Sequence, residues 1–303
     1  MPRVGLVRYA TVAHAVAAAV LPRYARPRSK HVYTQPQLLA VLLLMRYDGW
    51  TFRDAEVRLA EHAELRRALG FRGDRVPDYT TLWRFLDRLD LAVLDQVLAE
   101  VDRRLGPPRG PGGGARALTL ALDATGLATA SLSTFFVRRE YELRGQVRER
   151  AYWLKWLVVA DVDRQLILAQ TAHRGPTTDS RQLPRLCTAA RAHTTTPIGW
   201  VLADKEFDAE ANHRFVREVL HAQSAIPARA IGRGGPPRTR YRGTMVRAFP
   251  KRVYRRRVLV EALFSAAKRT QGGLAPARSE QRQIKQAHLL GASFNVARLR
   301  PAA

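Results

Sequence analysis

The sequence predicts an all-α N-terminal region followed by an α/β unit in which helices flank a mixed sheet. Three observations carry this reading. Helical periodicity with recognisable caps fills the first hundred residues; the run LGPPRGPGGGAR at 105–116 interrupts it; strand-like and helical patterns alternate beyond it. The expected divisions are a helical domain over 1–105, a Pro/Gly linker over 106–116 and a strand-containing domain over 117–303. No internal repeat is visible, and with 46% hydrophobic residues the 303-residue chain can bury a real core.

In the helical part, YATVAHAVAAAVLPR at 9–23 loosely resembles a secretory leader, but His14 interrupts it, and Val12, Val16 and Val20 recur at helical spacing. It reads as a short core helix. TQPQLLAVLLLMRYDGW predicts a helix capped by Thr34, with Pro36 in its first turn and a stop at Asp48-Gly49. TFRDAEVRLAEHAELRRALG restarts at Thr51, with Asp54 three residues on, and ends at Gly70. PDYTTLWRFLDRLDLAVLDQVLAEVDRRL supplies one or two further helices. Trp83, Arg84 and Arg88 on the last of three short helices would suit a helix-turn-helix and hence a DNA-binding domain over 1–105; a plain bundle or dimerisation domain fits equally well.

Past the linker, ALTLALDATG reads as a strand ending in Asp123, and YWLKWLVVADVDRQLILAQTAH as two strands turning at Asp161-Val162-Asp163. TTDSRQLPRLCTAARAH is a helix capped by Thr178 or Asp179. IGWVLADKEF is a strand ending in Asp204, DAEANHRFVREVLHAQ a helix for which Asp208 offers a cap, and SAIPARA a short strand. A loop, IGRGGPPRTRYRGT, then precedes the helix YRRRVLVEALFSAAKR. The order β-β-β-α-β-α-β-α describes a mixed sheet whose first three strands are antiparallel.

The net charge of +25 and pI near 11.4 imply a polyanionic partner, most simply nucleic acid, with an anionic membrane surface as the competing partner. No apolar run reaches the 18 or so residues a spanning helix needs. The single cysteine, Cys187, excludes an internal disulfide framework and a cysteine-based metal knuckle, and reads as a small packing residue. The expectation is a cytoplasmic, nucleoid-associated protein with no membrane role.

Asp123 and Asp204 both end predicted strands, where ligand sites of open α/β sheets form. Glu261, on the late helix, offers a third carboxylate. Tyr254, Arg257, Glu261 and Lys268 project within an arc of about 60° on an α-helix, opposite Leu259, Val260, Leu263 and Ala267. That stripe is either a solvated face with an Arg257–Glu261 pair or part of a site. Two Asp and one Glu suit hard divalent ions, a pair of which can activate a hydroxyl and stabilise a leaving oxygen at a phosphodiester. Of 51 basic residues 45 are arginine, so three retained lysines, Lys205 next to Asp204, Lys268 two helical turns beyond Glu261 and Lys155 on the second strand, invite a reading as phosphate contacts.

The spacing Tyr254-x2-Arg257-x3-Glu261-x6-Lys268 resembles the C-terminal signature of DDE transposases of bacterial insertion sequences, the insertion-sequence four and five superfamily. LALDATG and VLADKEFDAE resemble the segments carrying that family's two aspartates. AHRGPTTDS, AIPAR and FNVARL extend the similarity over roughly residues 35 to 300. The resemblance implies a ribonuclease-H-like fold, with Asp123, Asp204 and Glu261 as catalytic metal ligands for two Mg²⁺ ions, Mn²⁺ substituting. Tyr254, Arg257 and Lys268 would contact DNA phosphates or position the Glu261 helix. The implied partners are the terminal inverted repeats and target DNA, bound by a homodimer that cuts and joins strands. Only 57 positions separate Asp204 from Glu261, which favours the five-type branch. Glu206 and Phe207 depart from the family's D-x-G-Y-D pattern, and Glu206 is expected to face solvent.

Asp161 and Asp163 are expected to shape a turn, and His173 lacks a metal-ligand partner at a telling spacing. VRREYELRGQVRER and IGRGGPPRTRYRGT read as DNA-contacting or solvated loops. Two rival functions remain at this level. One is a metal-dependent nuclease on the same fold; the other is a non-catalytic DNA-binding remnant of a decayed element.

Overall fold

The computed structural model describes residues 4–26, 28, 32–110, 112–129, 153–175, 178–229, 237 and 239–299. The segment VRREYELRGQVRER and most of the stretch 231–238 lie outside the described residues. The chain forms two compact units, a helical one (1–105, 266–273 and 285–303) and a sheet-containing one (106–265 and 274–284). The sequence reading placed the last two helical-unit pieces with the strands.

In the helical unit, α1 (Leu6–Val20) lays Tyr9, Ala10, Ala13, Val16 and Ala17 into the core, as expected of a core helix. The next helix, α2 (Gln35–Asp48), opens on a complete capping box between Thr34 and Gln37 and stops at Gly49, whose φ of 75° suits glycine. From Leu38 to Tyr47 its residues are buried all round, so α2 is the unit's central rod. The Tyr9 and Tyr47 rings stack with centroids 4.0 Å apart, and the Tyr9 hydroxyl lies 2.8 Å from Ser293 Oγ, so the end of the chain closes the core around its beginning.

The predicted helix from Thr51 to Gly70 is in fact two, α3 (Phe52–Glu61) and α4 (Ala63–Ala68). His62 breaks it at φ −105°, ψ 92°, and Arg66 donates to the freed carbonyls of Leu59 and Ala60 at 2.9 and 2.5 Å. Those bonds satisfy the orphan acceptors at the end of α3 without a glycine or proline. Then follow α5 (Tyr79–Arg88) and α6 (Leu91–Leu105). Trp83, Arg84 and Arg88 stand on the exposed face of α5, while Leu82, Phe85 and Leu86 are buried.

Asp78 caps α5, accepting from the amides of Thr80 and Thr81 and from both threonine hydroxyls; these bonds hold its pKa down to about 2. A carboxylate with a depressed pKa stabilises the fold above its unfolded pKa near 3.8 and loses that contribution as pH falls toward 2. Asp78→Ala should therefore cost about 1 kcal/mol at pH 7. The gap between variant and wild type, measured by denaturant unfolding, should narrow between pH 4 and 2.

The sheet unit begins with the Pro/Gly segment, which the sequence reading left without regular structure. It folds back on itself through an Arg109–Ala115 bridge and a Gly110–Gly114 bond of 2.8 Å, and Arg164 holds the Gly106 carbonyl at 2.5 Å. Five strands follow: β1 (Leu118–Ala128), β2 (Trp153–Asp161), β3 (Leu166–Arg174), β4 (Ile198–Ala203) and β5 (Gln223–Ala225). Their order is 3-2-1-4-5, with β1–β2 and β2–β3 antiparallel and β1–β4 and β4–β5 parallel. The first three strands are thus antiparallel, as the sequence predicts. Asp161 accepts from the Asp163 amide and pairs with Arg164, forming the predicted turn between β2 and β3.

Helix α7 (Gln182–Ala192) buries Cys187, which acts as a packing residue and whose thiol burial pushes up to about 12. Neither Thr178 nor Asp179 caps it by a side chain: its cap position is Arg181, and the Asp179 carboxylate pairs with Lys155. After β4 come a 3₁₀ turn (Lys205–Phe207) and α8 (Glu210–Arg214), which continues as a π-turn through Val219. The expected loop at 239–244 is instead the start of α9 (Arg240–Arg247). Two helical turns, Lys251–Tyr254 and Arg255–Arg257, lead into α10 (Val258–Gln271), and α11 (Glu280–Val296) ends the fold. Among the described residues no helix is long and apolar enough to cross a membrane.

Candidate active site

The site is built where β1 and β4 run side by side. Their register pairs Leu122 with Ala203, so Asp123 and Asp204 occupy the next position on neighbouring parallel strands. The sequence placed both acids at strand ends. Asp204 does follow the end of β4, but β1 runs on to Ala128, held by antiparallel β2, so Asp123 sits where β1 loses its parallel neighbour. Asp204 caps the 3₁₀ turn by accepting from the Glu206 amide at 2.8 Å, and Asp123 accepts from the Ala124 amide at 2.9 Å. Burial, together with the charge of Asp204, holds the Asp123 carboxyl above the usual carboxylate range, against the opposing pull of the Ala124 amide and Arg257.

Glu261 reaches this corner through Arg257. The guanidinium donates to Asp123 Oδ2 at 2.8 Å and to Glu261 Oε1 at 2.5 Å, so one side chain carries both acids. Burial works against the Arg257 charge, yet Asp123, Tyr254 and Glu261 together keep its pKa above the ordinary arginine value. Tyr254 is hydrogen-bonded to Arg257, and burial raises its own pKa, with Asp204 and Asp123 adding to the rise. Tyr254, Arg257, Asp123, Asp204 and Glu261 therefore form one electrostatic cluster, in which only Glu261 is half exposed. On α10, Val260, Leu263 and Phe264 are buried opposite the polar stripe, and Phe264 meets the Trp156 ring edge-on at 5.5 Å.

Two arrangements around the cluster escaped the sequence reading. Arg256 donates to Thr119 Oγ1 at 2.9 Å and pairs with Asp163, so adjacent arginines grip β1 near its start and at Asp123. This fixes both the slide and the rotation of the turn that precedes Glu261. On the other side, Asp208 is not a helix cap: it is fully buried and bound by Arg242 through contacts of 2.7 to 2.9 Å and by the Arg229 amide at 2.7 Å. Glu210 accepts from the amides of Tyr241 and Arg242, locking α9 to the segment that carries Asp204. No sequence signal joins residues so far apart.

The lysines divide. Lys205 is exposed beside Asp204, whereas Lys155 is largely buried against Asp179. Lys268 lies two turns beyond Glu261 on α10, in the part of that helix grouped with the helical unit, and burial lowers its pKa. Glu206 is exposed, as expected, and Phe207 is buried. His173 contacts the carbonyl of its neighbour Arg174.

The donor set of the three acids is all carboxylate oxygen, which fits a hard divalent cation. Asp123 and Glu261 already share one positive group, and Asp204 is close enough to raise the pKa of Asp123. Among the described residues no three acidic, histidine or cysteine side chains stand close enough together to hold an ion as placed; Asp123 and Glu261 are instead each paired with Arg257.

The family model described as Transposase DDE domain matches residues 114–296, which is more than half of the chain and includes all three acids. The chain belongs to the DDE transposase family. A second model, Transposase domain (DUF772), matches residues 9–88 of the transposase, the part that builds most of the helical unit. No individual curated protein matches the chain. The 3-2-1-4-5 sheet flanked by helices is the ribonuclease-H-like arrangement of DDE transposases. The protein is accordingly a DNA transposase, a metal-dependent enzyme of strand cleavage and transfer.

Proposed function

We propose that this transposase cuts DNA at insertion-sequence ends with Asp123, Asp204 and Glu261 as the ligands of two Mg²⁺ ions, for which Mn²⁺ substitutes. The observation that carries the reading is the double salt bridge of Arg257: acids 138 positions apart in the chain meet on one cation, and a third acid directly follows the strand that runs parallel to β1. When bound, the ions supply activation of the attacking hydroxyl and stabilisation of the leaving oxygen. With Asp123 and Glu261 engaged as ligands, the Arg257 guanidinium would be free to meet a DNA phosphate in the bidentate geometry arginine favours.

The protein's own groups then act by position. Asp204 stays oriented by the Glu206 amide, Arg256 holds the approach to Glu261, and Tyr254 steadies Arg257. Lys205 and Lys268 meet the DNA backbone as point charges; Lys155 joins them only by leaving Asp179. Water attacks the phosphodiester at each end and releases a 3′-hydroxyl. That hydroxyl attacks target DNA in the same site, with no covalent protein–DNA intermediate. The helical unit reads the terminal inverted repeats with the exposed Trp83, Arg84 and Arg88 of α5, and a homodimer holds the two ends. The short interval between Asp204 and Glu261 supports the five-type branch.

End-labelled terminal-repeat DNA should be nicked by the purified protein in Mg²⁺ or Mn²⁺. Nicking should stop in excess EDTA and resume when Mg²⁺ is restored. Cleavage at an undiminished rate in EDTA would overturn the proposal.

A further inference from the structure

The helical unit contains a feature that the chemistry at Asp123 does not use. A cavity of about 480 Å³ opens between the chain following α1, the residues that lead into α2 and the connection from α4 to α5. Three arginines (Arg23, Arg72 and Arg75) and three aromatic rings (Tyr24, Tyr33 and Phe71) line it, and among the described residues no acidic one does. Its size falls in the range of small-ligand sites.

The walls are held by specific bonds. The Tyr33 hydroxyl donates to the Val76 carbonyl at 2.5 Å, and its ring meets Phe71 edge-on with centroids 6.0 Å apart. Gln37 donates to the Gly70 carbonyl at 2.5 Å, which fixes the left-handed turn at φ 74° from which Phe71 departs. The Arg23 guanidinium stands 5.5 Å from the centre of the Tyr24 ring. No salt bridge among the described residues engages Arg23, Arg72 or Arg75, and Asp74, which lies between Arg72 and Arg75 in the chain, pairs with Arg66 at 2.5 Å.

We propose that this cavity takes one unstacked nucleotide of DNA, its phosphate on the arginines and its base against the tyrosine rings. Cations without carboxylate partners select an anion, and aromatic walls select a flat apolar face. Single-stranded nucleic acid offers both together, and stacking on an aromatic side chain adds about 1–3 kcal/mol per base. An intact duplex presents phosphates but keeps its base faces covered, so a ring-lined cavity adds nothing to duplex binding. The site therefore distinguishes frayed, nicked or overhanging DNA from continuous duplex.

Two measurements test this on the full-length protein. First, a duplex with a short single-stranded overhang carrying 5-iododeoxyuridine is irradiated with the wild-type protein, and the adduct is mapped by mass spectrometry. It should fall on Tyr24, Tyr33 or Phe71. Second, the variant with Arg72→Gln and Arg75→Gln, both exposed positions, should bind the overhang duplex about tenfold more weakly, from two lost phosphate contacts, and the blunt duplex less than threefold more weakly. Adducts confined to other residues would overturn the proposal, as would an equal loss on both duplexes or no loss on either. The blunt duplex reports binding by the rest of the protein, so this outcome is separable from any failure at the carboxylate site.

Discussion

Asp204→Asn should lower end cleavage by a factor on the order of 10³ or more while changing DNA affinity less than threefold. Coordination by a carboxylate and the charge stabilisation it supports are worth several kcal/mol, and about 4 kcal/mol is a thousandfold in rate. The substitution isolates chemistry from folding for a local reason. Asp204 caps its 3₁₀ turn through one oxygen, and asparagine keeps an oxygen that accepts from the Glu206 amide. The thermal midpoint should therefore hold steady while single-turnover cleavage fails. An unchanged cleavage rate would remove Asp204 from the site.

The second large effect is on stability. Arg242→Met should destabilise the protein by about 3–5 kcal/mol, because it leaves the buried Asp208 carboxylate without its counter-charge. His213 does not fill the gap: its Nε2 stands 3.5 Å from Asp208, and burial lowers its pKa, which disfavours the protonated form that could pair. For a unit of this size the cost corresponds to a fall in midpoint of roughly 10 °C, measurable by calorimetry. Adding Asp208→Asn to Arg242→Met should recover much of the loss, since no charge is then buried alone. A double variant no more stable than the single would show that packing around Arg242, not its charge, matters.

The local grammar of the chain was legible from its residues. Thr34 with Gln37, Thr51 with Asp54, and Gly49 mark helix ends because caps act over three or four residues. The Arg257–Glu261 stripe was legible for the same reason, since helical spacing alone puts the two side chains together. His62 was not, because the break there is secured by Arg66 rather than by a glycine or proline. Asp123 was misplaced at a strand end because its strand pairs onward with β2, beyond the last residue that β4 reaches. Arg256 with Thr119 and Asp163, and Arg242 with Asp208, are bonds across 137, 93 and 34 positions. No periodicity or cap carries such information, and an arginine-rich chain gives each of its many guanidinium groups the same look.

The closure of Tyr9 by Ser293 has a consequence for biosynthesis. Translation delivers α1 first, yet the Ser293 hydroxyl that meets Tyr9 is made 284 residues later. A chain released early from the ribosome would carry arginine-rich helices around an open seam, exposed to proteolysis and aggregation. Closure of the helical core is thereby coupled to synthesis of the later residues, and a truncation before Ser293 should be cut by protease faster than the chain that includes it.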